Sequence, residues 1–530
     1  MAFYLNIPEK YNMADDIDRH AADPQKVAVV CEDAQGNVAT LTYADLKRQS
    51  DELARGLRAT GLGQGSKILI ILPRSVDTYV VYLAALKAGC IVMPGSEMLQ
   101  SGDIAYRVQH AQASGAIVYA PLAPRVDAVR EQCPHLKRFI SFGGNAHGWV
   151  DLASVQQLGK EQSGQPLPQT NCDDIAFISY TSGTTGGPKG VIHHHQWAIP
   201  HRQVVGEKWL GIADGDVVWA TAGPGWAKWV WSPFIATLSL GATAFVYSGK
   251  FAAETYLSLM QKHAVNVLCC TPTEYRMMAK VEGLERYDLQ ALKQAVSAGE
   301  PLNREVIDTF RRYFDVDVRD GYGQTENSLL VGTLVGMTIK PGSMGKPTPG
   351  NRVAIVDEDG RVVPQGVVGD IAVHREAPTL FKGYYDDAKR TEYAFRGDWY
   401  ITGDQARADE EGYYWFEGRA DDIIISSGYT IGPFEVEDAL VRHSAVRECA
   451  VVASPDEVRG TIVKAFVVLK QPETASDELV RELQDHVKRV TAPYKYPREI
   501  EFVADLPKTT SGKIRRIALR MQEREQKTAK

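Results

Sequence analysis

The stretch Tyr180-Thr-Ser-Gly-Thr-Thr-Gly-Gly-Pro-Lys-Gly-Val191 constrains this chain more than any other. It follows the apolar run Ile175-Ala-Phe-Ile-Ser179, which reads as a strand. A strand that empties into Thr181, Ser182, Gly183, Thr184, Thr185, Gly186, Gly187, Pro188 and Lys189 offers backbone N–H groups, hydroxyls and a cation to one small anion. That is the chemistry of polyphosphate binding, so a nucleoside triphosphate is the first ligand to consider. The Walker-type loop does not fit. Counted from Gly183, Pro188 stands where glycine should precede the lysine, and Gly190 stands where a magnesium-binding hydroxyl should follow it. A plain surface loop of Gly, Ser and Thr is the competing reading. Gly61-Leu-Gly63-Gln-Gly65 precedes the strand at 67–72 instead of following one, so it is a turn and not a dinucleotide site.

With 530 residues the chain should divide into domains. A net charge of −7 gives no basic footprint for nucleic acid, although Lys513-Ile-Arg-Arg516 could meet a small polyanion. The seven cysteines (Cys31, Cys90, Cys133, Cys172, Cys269, Cys270 and Cys449) are odd in number and form no CxxC pair. They are expected to be reduced, mostly buried thiols of a cytoplasmic protein. The N-terminus lacks a signal-peptide layout, and no apolar run is long enough for a membrane span. Neighbouring side chains diverge, so His193-His194-His195 should not chelate one metal; structural or solvent roles are expected, with His193 near the nucleotide loop.

Over the first four hundred or so residues, helical and strand patterns alternate. Leu41-Thr-Tyr-Ala-Asp-Leu-Lys47 opens a helix that runs through Leu53, Leu57 and Leu62, a strand follows at 67–72, a helix at 76–87 stops at Gly89, and strands recur at 90–93 and 115–119. Such units imply a layered α/β fold with largely parallel sheets. Short strands at 352–356, 369–374 and 412–416 mark a β region. A separate α+β unit follows, with strands at 449–453, 464–469 and 499–503 and a helix at 477–490. The expected domains are 1–417 and a small, mobile 418–530.

Polar islands interrupt this pattern: Ser297-Ala-Gly-Glu-Pro301, Asp320-Gly-Tyr-Gly-Gln-Thr-Glu326, Tyr400-Ile-Thr-Gly-Asp404, Gly418-Arg-Ala-Asp421, Ser427-Gly-Tyr429 and Pro507-Lys-Thr-Thr-Ser-Gly-Lys513. Each alone is weak. In this order, with the opening loop, the set resembles the acyl- and aryl-CoA synthetases of the adenylate-forming superfamily over nearly the whole chain. Pro433-Phe-Glu-Val-Glu-Asp-Ala-Leu440 and Thr491-Ala-Pro-Tyr-Lys-Tyr-Pro-Arg498 resemble the medium-chain branch.

The resemblance implies ATP, Mg²⁺ and CoA acting on a small carboxylic acid. Acyl-AMP and pyrophosphate form first, and CoA then displaces AMP. By matching motif positions, Thr181–Lys189 would hold the β- and γ-phosphates, Glu326 the Mg²⁺ and Thr325 the α-phosphate. Gly299, Glu300, Pro301, Asp320, Gly321, Tyr322, Gly323 and Gln324 would line the nucleotide, with Tyr322 stacking on adenine. Asp404 would accept the ribose hydroxyls beside Arg419, and Lys513 would bridge carboxylate and α-phosphate. The small domain would turn about Asp421, bringing Ser427, Gly428 and Tyr429 to the pantetheine tunnel and Arg459 to the CoA nucleotide. Where the family often places a basic residue, this chain has Thr430.

In the resembling branch, Gly225-Trp226 and Gly299 border the acyl pocket, and a large ring at Trp226 would favour a short, branched, medium-chain or aromatic acid. Trp229 and Trp231 are expected in the core. Lys228 could meet a polar or dicarboxylic acid, but is expected to point to solvent. A carrier-protein thiol as acceptor is the rival within enzymes, disfavoured by Ser427-Gly-Tyr429 and by the absence of a carrier domain after residue 530. A non-catalytic nucleotide-binding protein is disfavoured by the joint presence of Glu326, Asp404, Arg419 and Lys513. Homo-oligomerisation is left open.

Overall fold

The fold is taken from a computed structural model that describes residues 5–181, 188–299, 302, 304–419, 422–426, 429–456, 460–491, 493–508 and 514–528. It is α/β, with several sheets and a small α+β C-terminal domain. Two compact units emerge, one of residues 1–353 with 373–398 and the other of residues 354–372 with 399–530. These divisions fall elsewhere than the 417/418 boundary expected from composition. The β region's segments 354–372 and 399–417 group with the C-terminal chain, and strand pairing joins those two segments to each other across the residues between them.

Two large sheets build the first unit. One has the order Val150–Asp151, Arg138–Phe142, Gly115–Tyr119, Lys67–Ile71, Ile91–Pro94, Ile175–Thr181, Lys189–His194. Its pairs are parallel except for the last, which is antiparallel. The other carries parallel strands Gln294–Ala298 and Val318–Gly323 beside Val267–Cys270, Val217–Ala220 and Thr243–Tyr247. The expected parallel α/β layering is therefore what the chain adopts.

The helix Val76–Lys87 explains how the sheets are held. Its sequence VDTYVVYLAALK is apolar almost all round, and ten of its residues are buried. A helix without a polar face must be covered on every side. It sits in one apolar cluster that includes Ile68 and Ile70 of the first sheet and Val29 and Ala244 of the second. Ser75 caps its start by accepting from the Thr78 N–H (3.3 Å), and Gly89 follows its end at φ +78°.

In the C-terminal unit, Val446–Asp456 pairs antiparallel with Gly460–Leu469, which pairs parallel with Glu499–Phe502. Alternation sorts the side chains. Cys449, Val451, Ala465 and Val467 face a core shared with the helices Pro433–Val441 and Asp477–Val490. Ala450, Val452, Phe466 and Val468 face Leu519 of the helix Arg516–Thr528. Burial on both faces accounts for the nearly unbroken apolar strands.

Candidate functional site

The loop that opened the sequence reading hangs from an antiparallel strand pair. In its register Thr181 lies opposite Lys189, so the pair brackets the loop. Ser182, Gly183, Thr184, Thr185, Gly186 and Gly187 lie outside the described residues. At the feet, the Tyr106 hydroxyl donates to the Pro188 carbonyl (2.8 Å). Thr181 Oγ1 is buried with no hydrogen-bond partner among the described residues.

Lys189 does not reach into open solvent. Its Nζ lies 3.3 Å from Glu326 Oε1 and 3.1 Å from the Tyr384 hydroxyl, and stands 4.7 Å from the centre of the Tyr384 ring. Tyr384 also donates to Glu326 Oε1 (3.0 Å). The cluster joins residues 137 and 195 positions from Lys189. Glu326 is only 6% exposed, so its charge is held in a partly desolvated place where an ion pair is stronger than on the surface.

Each member is fixed by its own backbone. The segment around Tyr384 pairs with the strand Lys189–His194: Ile192 N–H donates to the Gly383 carbonyl, Tyr385 N–H to Gly190, and Val191 bridges to Tyr384. The turn carrying Thr325 and Glu326 is tied on both sides. Phe381 N–H donates to the Glu326 carbonyl (2.7 Å), and Trp197 Nε1 to the Asn327 and Thr379 carbonyls (both 3.1 Å). Tyr384 was missed in the sequence. Its only trace is Tyr384-Tyr385 within a polar stretch, and nothing local says that it pairs with a strand some two hundred residues earlier.

Of the three histidines, His193 and His195 lie in the core and His194 is half-buried. Burial holds His193 down to about 3 and His195 to about 4, so both are neutral at pH 7. His195 Nδ1 accepts from the Met13 N–H (3.3 Å). The alternative of solvent-facing rings fails for these two: His193, on the strand Lys189–His194, and His195, at the start of the helical turn after it, are both buried. Among the described residues no cluster of His, Cys, Asp and Glu could hold a metal by itself. All seven cysteines are free, and all but Cys172 are buried.

On the second sheet, Asp320 is buried, with 8% of its surface exposed. Burial raises its carboxyl to about 7, while the N–H groups of Gly321 and Leu302 pull it down. Tyr322 and Gln324 are half-buried and Gly323 is exposed. Gly299 has φ +105° and open space where a β-carbon would lie; Glu300 and Pro301 lie outside the described residues. Gly225 (φ +92°) is required: a β-carbon there would meet the Gly95–Ser96 backbone at 2.3–2.4 Å. Trp226 follows it and is 37% exposed, whereas Trp229 is buried. Lys228 departs from expectation. Its Nζ turns inward, 4.6 Å from the centre of the Trp209 indole, because a cation can settle over an aromatic face.

In the C-terminal unit, Asp404 and Arg419 are register partners across the antiparallel strands Trp399–Ala408 and Tyr414–Arg419. Asp404 is 6% exposed, and its N–H donates to Thr402 Oγ1 (3.2 Å). Asp422 pairs with Arg520, and Glu437 with Arg516 (2.6 Å). Asp421, Ser427, Gly428, Arg459 and Lys513 lie outside the described residues, as does the side chain of Tyr429.

Comparison with known proteins bears on this geometry. Residues 17–385 match the AMP-binding enzyme family and residues 435–513 the AMP-binding enzyme C-terminal domain. The chain is 56% identical over 99% of its length, and 98% of the relative's, to the uncharacterized acyl-CoA ligase YtcI of Bacillus subtilis (strain 168). It is 40% identical to the mitochondrial acyl-coenzyme A synthetase ACSM3 of Mus musculus, over 98% of this chain and 92% of that one. Among solved structures, an anthranilate CoA ligase, AuaEII, in complex with anthranoyl-AMP superposes with TM-score 0.89 at 29% identity, over 98% and 99% of the two chains. A benzoate CoA ligase from Burkholderia xenovorans LB400 superposes with TM-score 0.82 at 30% identity, over 96% and 100%.

Proposed function

This chain belongs to the AMP-binding enzyme family as an acyl-CoA synthetase of the adenylate-forming superfamily, and from that premise we propose how its residues divide two half-reactions. The enzyme is an ATP-dependent acid–thiol ligase. A carboxylate oxygen attacks the α-phosphorus of ATP, the bond to the β-phosphate breaks, and pyrophosphate leaves. The CoA thiolate then attacks the acyl carbon of the acyl-AMP, the carbon–oxygen bond breaks, and AMP leaves.

The difficulty of the first step is that two anions must meet, so preorganised donors and cations must offset their repulsion. The observation that carries the assignment is the cluster of Lys189, Glu326 and Tyr384 beside the pinned feet of the loop. Thr181, Lys189 and the intervening backbone hold the β- and γ-phosphates, and Thr325 the α-phosphate. Glu326 would offer a hard carboxylate oxygen to Mg²⁺, whose charge would offset that of the phosphates. Gly299, Asp320 and Tyr322 line the adenine. Asp404, buried and beside Arg419, accepts from the ribose hydroxyls. Lys513 bridges the reacting anions.

In the second step the C-terminal chain would turn at Asp421 to present another of its faces. Ser427, Gly428 and Tyr429 form the channel for pantetheine, and Arg459 meets the CoA nucleotide. A glycine fits a narrow channel because any side chain would fill it. Gly428→Leu should therefore leave pyrophosphate release intact and lower CoA ester formation about a hundredfold; normal ester output would remove Gly428 from the channel.

The acid lies against Gly225-Trp226 and Gly299. An exposed indole after a forced turn suits a gate, and its bulk favours short, branched, medium-chain or aromatic acids. An acid panel scored for AMP and CoA ester together tests the whole reading. In that panel Trp226→Gly should move the preferred chain length upward by two or more carbons, and an unchanged preference would take Trp226 out of the pocket. The free thiols suit a reducing compartment such as the cytoplasm.

A further inference from the structure

The side chain least explained by this chemistry is Lys228. It belongs to the short helix Ala227–Trp229, directly after the Gly225-Trp226 turn. Its ammonium rests over Trp209, whose ring is buried and fixed by a hydrogen bond from Nε1 to the Asp320 carbonyl (3.2 Å). Trp209 packs tightly beneath the nucleotide-side strand Val318–Gly323: a β-carbon on Gly321 would come within 2.8 Å of the ring.

Two further groups surround the ammonium. Cys269 lies near the end of the strand Val267–Cys270, and burial raises its thiol pKa while Lys228 lowers it. His201 is enclosed, and burial, with help from the Lys228 charge, keeps its imidazole neutral. The surroundings are thus an indole, a neutral thiol and a neutral imidazole. No carboxylate among the described residues lies within ion-pair distance of Lys228. A half-buried ammonium without a counter-charge is costly unless something supplies an acceptor.

Its position indicates what that is. Val267–Cys270, Gln294–Ala298 and Val318–Gly323 run parallel in one sheet, and ligands of such sheets bind beyond the carboxyl ends of the strands. Gly299, just past the middle strand, faces open space. We propose that Lys228 is a specificity residue that receives an oxygen on the acid substrate, away from the carboxyl being activated. The preferred acid is then a hydroxy-, oxo- or dicarboxylic acid and not its plain alkyl or aryl counterpart. This rests on the reading that Gly225-Trp226 borders the acid pocket.

The experiment compares kcat/KM for pyrophosphate release by the full chain with paired acids: hexanoate against 6-hydroxyhexanoate and hexanedioate, and benzoate against 4-hydroxybenzoate. The wild type should favour the oxygenated member of at least one pair by about ten- to hundredfold, the range for a charge-assisted hydrogen bond. Lys228→Met should erase that preference with the KM for ATP unchanged, and Lys228→Gln, which keeps a donor, should retain part of it. A wild-type preference for the plain acid in every pair overturns the proposal, and that result needs no variant. So does a ratio that moves less than twofold in both variants, or an equal loss with plain and oxygenated acids, which would assign Lys228 to the reacting carboxylate or to the fold. Failure of the wild type to release pyrophosphate with any acid would instead overturn the synthetase reading beneath it.

Discussion

Lys513→Ala is expected to lower pyrophosphate release from acid and ATP by about a hundred- to a thousandfold, while thioester formation from supplied acyl-AMP and CoA persists. The asymmetry follows from charge. Only in the first step must a carboxylate approach a phosphate, and loss of one preorganised donor at such a place costs on the order of a hundred- to a thousandfold. In the second step the attacking thiolate meets an acyl carbon whose charge is already masked by the adenylate bond. The structure also indicates that the substitution should not disturb folding. Lys508 and Ile514 form a backbone bridge on either side of 509–513, and Arg516 is locked to buried Glu437, which in turn accepts from the Val451 N–H (2.7 Å). Equal loss of both half-reactions would contradict the role given to Lys513.

Glu326→Gln should be nearly as damaging, by a different route. The amide keeps the shape and can still accept from Lys189 and Tyr384, so only charge is removed. Pyrophosphate release should fall about a hundredfold or more, and the Mg²⁺ concentration for half-maximal rate should rise at least tenfold. Stability should fall by about 1–3 kcal/mol, because a partly desolvated Lys189 loses its counter-charge while keeping the Tyr384 ring and hydroxyl. Tyr384→Phe is the control: it removes one donor to Oε1 but leaves the carboxylate, so its Mg²⁺ dependence should stay close to wild type. A Glu326→Gln enzyme with unaltered Mg²⁺ dependence would sink the metal assignment.

Local pattern carried much of the fold. The helix Val76–Lys87 and the strands Gly115–Tyr119 and Gly369–His374 stand where hydrophobic period and turn residues placed them. Other elements were hidden for physical reasons. Trp399–Ala408 is one long strand, but Thr402-Gly403-Asp404 at its centre reads as a turn. What keeps it extended is pairing with Tyr414–Arg419, a contact no short window contains. The helical segment at 198–210 widens into a π-helix, and 230–236 does so with Pro233 inside, so neither shows a 3.6-residue period. In the site, motif spacing named Lys189 and Glu326 but could not say that they touch. Tyr384 and the inward turn of Lys228 depend on tertiary packing alone.

The strand pair that brackets the first loop has a consequence for how such a loop can change. With Thr181 facing Lys189, both ends are set by a ladder that exists whatever lies between them. Closing the ring is the work of the sheet, and doubling the number of intervening residues would add only about 0.6 kcal/mol of closure entropy. Length and composition between those two positions are therefore nearly uncoupled from folding. They can be tuned by the grip on the departing anion alone, as the jaw of a tool can be reshaped without touching its handle.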